Sequence, residues 1–413
     1  MRENFELVSK QEDGEMLSSC PVIIIDAICG AGKTEMMIRH INKHAADKRF
    51  LFVTPFNKEI ERIMKSCPGV GFKMGRTRHK VKDLVKAIEN GENAICTHEA
   101  YKHLDESIIE TLKLHRYTLI IDEVPDVIEP IKIGEYSLDT LKKDYIEVDE
   151  KGVVSWRKDK QDYSETPFGD IKQMCGLKKM MLFNDTVLLV TFPCEIFKAM
   201  AEVYVLTYMF PAQIQRYYFD YHKIPYEIKT INTGKLVNHN GKYHSNLKPF
   251  IHIYNGKLND IGAERTALSM AWHKKQKNQK LIKNDLYNVA RNIWKAKGAE
   301  VFWTTFSDYE AAERPTGFKK CFLAHNARAT NDYKDRQHVI YSVNKFFNPS
   351  ISNVFFKGLF GIEVNEELFA LSEMLQFIFR SAIRDGKEIW LYVPSKRMRG
   401  LLVRFLNNEM ECS

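Results

Sequence analysis

Residues 27 to 34 read Ala-Ile-Cys-Gly-Ala-Gly-Lys-Thr and lie between an apolar run and a helix-forming stretch. The run Val22–Ile25 predicts a buried strand, and the residues from Glu35 onward predict a helix. Glycines let such a loop turn its N–H groups toward one phosphate chain, and the helix adds its positive N-terminal end. This context predicts a phosphate-binding loop. The loop comprises Ala27, Cys29, Gly30, Ala31, Gly32, Lys33 and Thr34.

A second apolar run, Thr118–Ile121, ends in two carboxylates, Asp122 and Glu123. Because parallel strands deliver their carboxyl ends to one edge of a sheet, we expect Asp122 to lie near the phosphate loop. There it would hold Mg²⁺ together with the hydroxyl of Thr34, while Glu123 polarises the attacking water. Lys33 would reach the β and γ phosphates. The two segments together predict hydrolysis of a nucleoside triphosphate.

Three polar residues near the C-terminal end, Gln376, Arg380 and Arg384, are spaced four residues apart. This spacing predicts one helix that carries all three side chains on one face. The segment resembles motif VI of the superfamily 2 helicases, which implies that a guanidinium faces the nucleotide and stabilises the charge that develops on a transferred phosphoryl group. The alternative is an amphipathic helix with two surface arginines. The order of the segments along the chain favours a role for these residues at the nucleotide.

Taken in order, these segments resemble motifs I, II and VI of the superfamily 2 (DEAD/DEAH-like) helicases. The resemblance includes Ala27 in place of the usual first glycine, and it spans about residues 20–400. It does not extend to the DEAD-box signature, because Val124 follows the pair Asp122–Glu123. The resemblance implies ATP and Mg²⁺ as cofactors and nucleic acid as the partner.

By the same resemblance, the ends of two further strands correspond to motifs Ia and Ib, whose polar groups contact nucleic-acid phosphates. The residues so assigned are Thr54, Pro55, Thr97 and His98, with Thr330 in an irregular motif V. A helix cap is the plain alternative for each threonine that follows a strand. The resemblance also implies an arginine finger, which is either Arg380 or Arg384.

Apolar strands alternate with helical stretches along most of the chain, which predicts an α/β protein. The resemblance implies two RecA-like parallel-sheet domains with a nucleotide cleft between them. Residues 1–235 are assigned to the first domain, with the phosphate loop and Walker B, and residues 243–413 to the second, with motifs IV to VI. Motif III is assigned to Val203–Tyr208, with Val187–Thr191 as its competitor, and motif IV to Val301–Phe306.

A charged, aromatic stretch at about residues 129–180 does not fit a bare RecA-like domain. Alternation around Asp149-Glu150-Lys151-Gly152 predicts a small β-hairpin insertion. Trp156 stands beside Arg157 and Lys158, so it could stack on a base or separate strands. A surface hairpin without such a role is the alternative.

The composition suits a polyanion binder, because 61 Lys and Arg face 53 Asp and Glu for a formal charge of +8 over 413 residues. The 8 cysteines show no Cys-x-x-Cys pairing, which argues against zinc and for a reducing compartment. No apolar run approaches the roughly 18 residues that span a bilayer. We therefore expect a cytoplasmic monomer without a membrane partner.

The sequence as a whole predicts an ATP-dependent DNA helicase or translocase that acts on single-stranded or forked DNA. An RNA helicase, a viral DNA-packaging-type ATPase and a non-hydrolysing nucleic-acid-binding scaffold are the alternatives. A packaging motor should carry a nuclease triad of carboxylates in its C-terminal half, where this chain has Gln376, Arg380 and Arg384. The compact size resembles helicases that phages and plasmids carry.

Overall fold

The computed structural model describes residues 22–75, 80–131, 133–150, 152–160, 168–176, 179–183, 187–243, 246–326, 332–359 and 361–410. Its contacts divide the chain into two compact units. The first takes in the residues up to Ala27, then Gly32–His239 and Asn348–Val364, and the second takes in Ile28–Ala31, Asn240–Phe347 and the chain from Asn365 onward. The predicted domain limits, 1–235 and 243–413, place residues 348–364 in the second domain, whereas the contacts place them in the first unit.

The first unit begins with alternating strands and helices. They are β1 (Val22–Asp26), α1 (Lys33–Lys43), β2 (Arg49–Thr54), α2 (Asn57–Ser66), α3 (Lys80–Glu89), β3 (Ala94–Thr97), α4 (His98–Lys102), α5 (Ile109–His115) and β4 (Tyr117–Asp122). Every residue of β4 is buried. Burial on both faces is typical of a strand inside a parallel sheet that helices cover.

After β4 the chain forms a small inserted subdomain, residues 128–191. Its elements are β5 (Ile128–Pro130), α6 (Glu135–Asp144), β6 (Ile146–Val148), β7 (Val154–Trp156), α7 (Gly169–Gly176), β8 (Met180–Phe183) and β9 (Val187–Thr191). Strands β6 and β7 form the predicted antiparallel hairpin. The insertion is nevertheless more than a hairpin, because β5, β9 and β8 form an antiparallel sheet of their own. Buried side chains such as Leu141 and Met180 give it a separate apolar core.

The first unit then resumes with α8 (Cys194–Lys198), β10 (Glu202–Thr207), α9 (Ile214–Tyr221), β11 (Tyr226–Asn232) and β12 (Lys235–Asn238). Its main sheet has the strand order β12-β11-β1-β10-β4-β2-β3. All neighbouring pairs are parallel except β11 and β12. Strand β10 therefore lies between β1, which precedes the predicted phosphate loop, and β4, which ends at Asp122. The competing segment β9 belongs to the inserted subdomain and not to this sheet.

The second unit contains a smaller sheet. Its elements are β13 (Ile251–Ile253), α10 (Met270–His273), α11 (Gln276–Tyr287), β14 (Val301–Thr304), α12 (Glu310–Glu313), β15 (His338–Tyr341), α13 (Glu366–Ile378), β16 (Ile389–Tyr392) and α14 (Lys396–Leu406). The strand order is β13-β16-β15-β14, and all three pairings are parallel. Ile282, Leu286 and Val289 pack on Trp303 and Ile340 in its core.

The protein is thus a mixed α/β chain built on parallel sheets. The predicted motif IV segment forms β14 at one edge of the second sheet. No helix in the described part of the chain is long and apolar enough to cross a membrane.

Candidate functional site

The predicted phosphate loop, residues 27–34, follows β1 and runs into the first turn of α1. Gly30 and Gly32 have φ angles of 91° and 82°, a left-handed conformation that glycine adopts without strain. A Cβ on Gly32 would meet no atom within 4 Å, so the space beside this residue is open. The ammonium group of Lys33 donates a hydrogen bond to the carbonyl oxygen of Ala27, which folds the lysine side chain back across the loop.

Asp26 anchors the loop to the end of β10. Its carboxylate, 1% exposed, accepts hydrogen bonds from the backbone N–H groups of Met209 at 2.8 Å and Phe210 at 2.7 Å. The N–H of Ala27 donates to the carbonyl oxygen of Thr207 at 3.2 Å. Sequence reasoning missed Asp26, although an acid that ends an apolar strand was the same signal that pointed to Asp122.

The side chains of Thr34 and Asp122 meet at the carboxyl ends of the parallel strands. The hydroxyl of Thr34 donates to Oδ2 of Asp122 at 3.1 Å. Burial, reinforced by the charges of Glu123 and Glu59, raises the pKa of Asp122 to about 7, while Lys33 and Thr34 oppose this rise. A hydroxyl and a buried carboxylate are oxygen ligands of the kind that Mg²⁺ prefers. A divalent cation here would also stabilise the ionised carboxylate, so these residues fit the ion.

Glu123 follows directly and has an unusual backbone. Its φ angle is 61°, a left-handed conformation that costs a non-glycine residue free energy and is enriched at functional sites. Its N–H donates to the carbonyl oxygen of Leu206 on β10 at 3.0 Å. The carbonyl oxygen of Asp122 accepts a hydrogen bond from Nε2 of His98 at 2.9 Å, so that ring nitrogen carries the proton.

The residues predicted to contact nucleic-acid phosphates differ in their surroundings. Thr54 is fully buried, so its hydroxyl is not at a surface that a phosphate can reach. The hydroxyl of Thr97 accepts from the N–H of Ala100 at 3.3 Å and caps α4, the plain alternative for this residue. His98 contacts Asp122 as described, while Pro55 is half-buried after β2. Thr330 lies outside the described residues.

Trp156 is half-buried within the inserted subdomain. Its ring lies 5.3 Å from the ring of Tyr145, and the ammonium group of Lys172 lies 5.9 Å from its centre. The side chain packs against the subdomain core and is not an isolated surface aromatic. The hairpin prediction therefore holds for the backbone, whereas the ring is engaged in packing.

The helix predicted for Gln376, Arg380 and Arg384 is shorter than expected. Helix α13 ends at Ile378, so Gln376 lies on it and the two arginines do not. The hydroxyl of Ser381 donates to the carbonyl oxygen of Ile378 at 2.6 Å, a local bond that competes with helix continuation. Arg384 instead lies in a 3₁₀ turn, Ala382–Asp385. The expectation that all three share one helical face was wrong.

The two arginines differ in environment. Arg380 is 5% exposed. Arg384 is exposed, and its Cγ lies 3.3 Å from the position that a Cβ on Gly30 would occupy. Gly30 and Arg384 both belong to the second unit in the contact division. Arg384 therefore lies beside Gly30 of the predicted loop.

Comparisons with known proteins match most of the chain. The family model described as the YonV middle domain matches residues 128–190, and the one described as the YonV C-terminal Rossmann-like domain matches residues 245–406. The SPbeta prophage-derived protein YonV of Bacillus subtilis (strain 168) is 36% identical, and the match covers 94% of this chain and 99% of that protein. Among solved structures, S. tokodaii Xpd4 is similar over 93% of both chains, at 14% identity and a TM-score of 0.48.

Proposed function

The chain belongs to the YonV family, and we propose that it is an ATP-dependent DNA helicase or translocase. The observation that carries the proposal is the hydrogen bond between Thr34 and Asp122, 88 residues apart in the chain. It joins the start of the helix that follows the predicted phosphate loop to the acidic end of β4, which β10 separates from β1 in the sheet. This is the oxygen pair that a magnesium-bound triphosphate requires.

Each residue around this pair has a distinct task in the proposed hydrolysis. The N–H groups of the loop and the ammonium group of Lys33 bind the phosphates, and Thr34 and Asp122 would hold Mg²⁺, which neutralises charge on the phosphate oxygens. Glu123 accepts a hydrogen bond from the attacking water and aligns it with the γ phosphate. Arg384 stabilises the charge that develops during transfer.

Nucleic acid is the proposed partner of this ATPase. The order of the motifs, from the phosphate loop to the Gln376–Arg384 segment, and the formal charge of +8 support it. The relative that covers nearly the whole chain is prophage-derived, which agrees with a phage-type enzyme. Movement along one strand would follow from closing of two RecA-like domains on ATP and their opening after hydrolysis.

The test is ATP hydrolysis by the full chain with single-stranded DNA, duplex DNA and RNA as separate stimulants. Lys33→Ala should abolish turnover, because the principal cation at the β and γ phosphates is lost. Lys113→Ala is the matched control, since Lys113 is exposed on α5 and pairs only with Glu110 among the ion pairs that the structure describes. Wild-type turnover in a folded Lys33→Ala protein would refute the phosphate loop.

A second measurement addresses the partner. Phosphate contacts are electrostatic, so binding to single strands should weaken steeply with salt and depend little on base sequence. Titrations with a labelled oligonucleotide at several salt concentrations give the slope. ATP hydrolysis that no nucleic acid stimulates, together with a flat salt response, would favour an ATPase of another class.

A further inference from the structure

The peptide group that joins Asp122 to Glu123 is held at both of its polar ends. Its carbonyl oxygen accepts the hydrogen bond from His98 at 2.9 Å, and its N–H donates to Leu206 on β10 at 3.0 Å. The plane of this peptide decides where both carboxylates point. A left-handed φ of 61° at Glu123 persists only when neighbouring contacts hold it, and these two bonds do so.

One of the two bonds comes from α4, a helix of five residues that also contacts the inserted subdomain. Its first residue is His98, and the hydroxyl of Thr97 caps it. The buried ring of Tyr101, on the same helix, stacks on Phe192 with 4.7 Å between ring centres. Phe192 is the first residue after β9, where the chain leaves the subdomain.

The C-terminal end of α4 is bound by a lysine of the subdomain. Lys179 is only 4% exposed, and its ammonium group donates to the carbonyl oxygens of Lys102, at 2.8 Å, and of Leu104. The side chain of Lys102 pairs with Asp126 and Glu129, where the chain enters the subdomain. Lysine is rarely buried unless it is paired, so this one is placed at a cost in solvation.

We propose that α4 couples the inserted subdomain to the hydrolytic carboxylates, with His98 and Lys179 as positioning residues at its two ends. The inference rests on the proposed ATPase function and deepens it. A helix of five residues is only about 7 Å long, so a displacement at Lys179 reaches His98 with little loss. Rotation of the Asp122–Glu123 peptide then changes the alignment of the attacking water, so a displacement of the subdomain alters turnover by this route.

The test compares kcat and KM for ATP in variants at the two ends of α4. His98→Ala and Lys179→Met should each lower kcat by about tenfold or more, because alignment of the reacting groups is lost, and leave KM nearly unchanged. His98→Gln should recover much of the activity, since its amide N–H can donate to the same carbonyl oxygen. The matched controls are His103→Ala, at the exposed residue that directly follows this helix, and Lys113→Met, and both should behave like the wild type.

Two further results separate the coupling from a general loss of structure. Because both residues act through one helix, the double variant should be little worse than the more damaging single variant, whereas independent effects would multiply. Amide hydrogen exchange over residues 121–124 should be faster in Lys179→Met than in Lys113→Met.

Unchanged kcat in folded His98→Ala and Lys179→Met, or unchanged exchange over residues 121–124, would overturn the coupling. Absence of ATP hydrolysis in the wild type would instead refute the proposed function. The exchange experiment still decides in that case whether α4 transmits between the subdomain and the Asp122–Glu123 peptide.

Discussion

The hydroxyl of Thr34, in the first turn of α1, lies 3.1 Å from Oδ2 of Asp122 at the end of β4. The pair brings a hydroxyl oxygen and a carboxyl oxygen together at the carboxyl ends of the parallel strands. Both are placed by backbone that is fixed on each side, Thr34 by the phosphate loop and Asp122 by β10 and His98. This arrangement leads to predictions that separate the role of each group.

Thr34→Ser should retain most ATP hydrolysis, because the hydroxyl ligand remains. Thr34→Val keeps the shape of the side chain and removes the hydroxyl, so we expect it to lower kcat by about a hundredfold or more and to raise the Mg²⁺ concentration needed for activity. Hydrolysis measured over a Mg²⁺ titration distinguishes the two variants. Equal activity of the valine and serine variants would exclude a ligand role for the hydroxyl.

Asp26→Ala should destabilise the first unit by roughly 3 kcal/mol or more, because two buried N–H groups lose a charged acceptor. Asp26→Asn should lower the free energy of unfolding less, because the amide oxygen still accepts one of the two hydrogen bonds. Its NH₂ group would face the second N–H donor. Urea unfolding measures the effect. Asp47→Ala is the control, because the side chain of Asp47 is 62% exposed and its removal should change stability little.

His40 should make the protein acid-sensitive. Burial, with Lys48 and His44, lowers the pKa of His40 to about 4, below its ordinary value of 6.5. Between these values the unfolded chain binds more protons, so the free energy of unfolding falls as the pH falls from 6.5 to 4, by up to about 3 kcal/mol. The ring of His40 lies beside those of Phe50 and Tyr204, and a phenylalanine can pack there without titrating. His40→Phe should therefore remove this fall in the free energy of unfolding.

The check is urea unfolding of His40→Phe at pH 7.5 and pH 5, with His103→Phe as the control at an exposed histidine. The free energy of unfolding of His40→Phe minus that of the wild type should be more positive at pH 5 than at pH 7.5. An equal difference at both pH values would show that His40 does not titrate in this window.

Arg384→Ala should lower the rate of hydrolysis by about a thousandfold with little change in nucleotide affinity, as expected for an arginine finger. Arg380→Ala should instead reduce stability, because its guanidinium is buried and its loss leaves a gap in the packing. Single-turnover hydrolysis and nucleotide binding measure the first effect, and thermal unfolding the second. Arg404→Ala, at an exposed ion pair with Glu367, serves as the control.

The phosphate loop and the acidic strand could be located from the sequence because each depends on local patterns. An apolar run of strand length, a glycine-rich turn and a helix start act over about ten residues, and the chain from Val22 to Lys43 folds as they indicate. The hairpin of the insertion was likewise local, with Gly152 at φ 79° in its turn. The α/β class followed from the alternation of such segments.

Other features depended on the folded backbone and on packing. Spacing alone does not show that α13 ends at Ile378, before Arg380 and Arg384. Thr54 and Thr97 look equivalent after their strands, yet one is buried inside the sheet and the other caps a helix. Burial is decided by what packs on a strand, and no local pattern contains it.

The sequence by itself therefore determined the elements to which we assign the chemistry, namely the loop around Lys33 and the strand that ends in Asp122 and Glu123. Only the tertiary structure decided which groups hold them, such as Asp26 on the loop after β10 and His98 on the peptide after Asp122. The physical reason is that a hydrogen bond between distant residues needs both partners placed to within a few tenths of an ångström. That precision comes from strand order and packing, which bring residues 24 and 183 positions apart into contact.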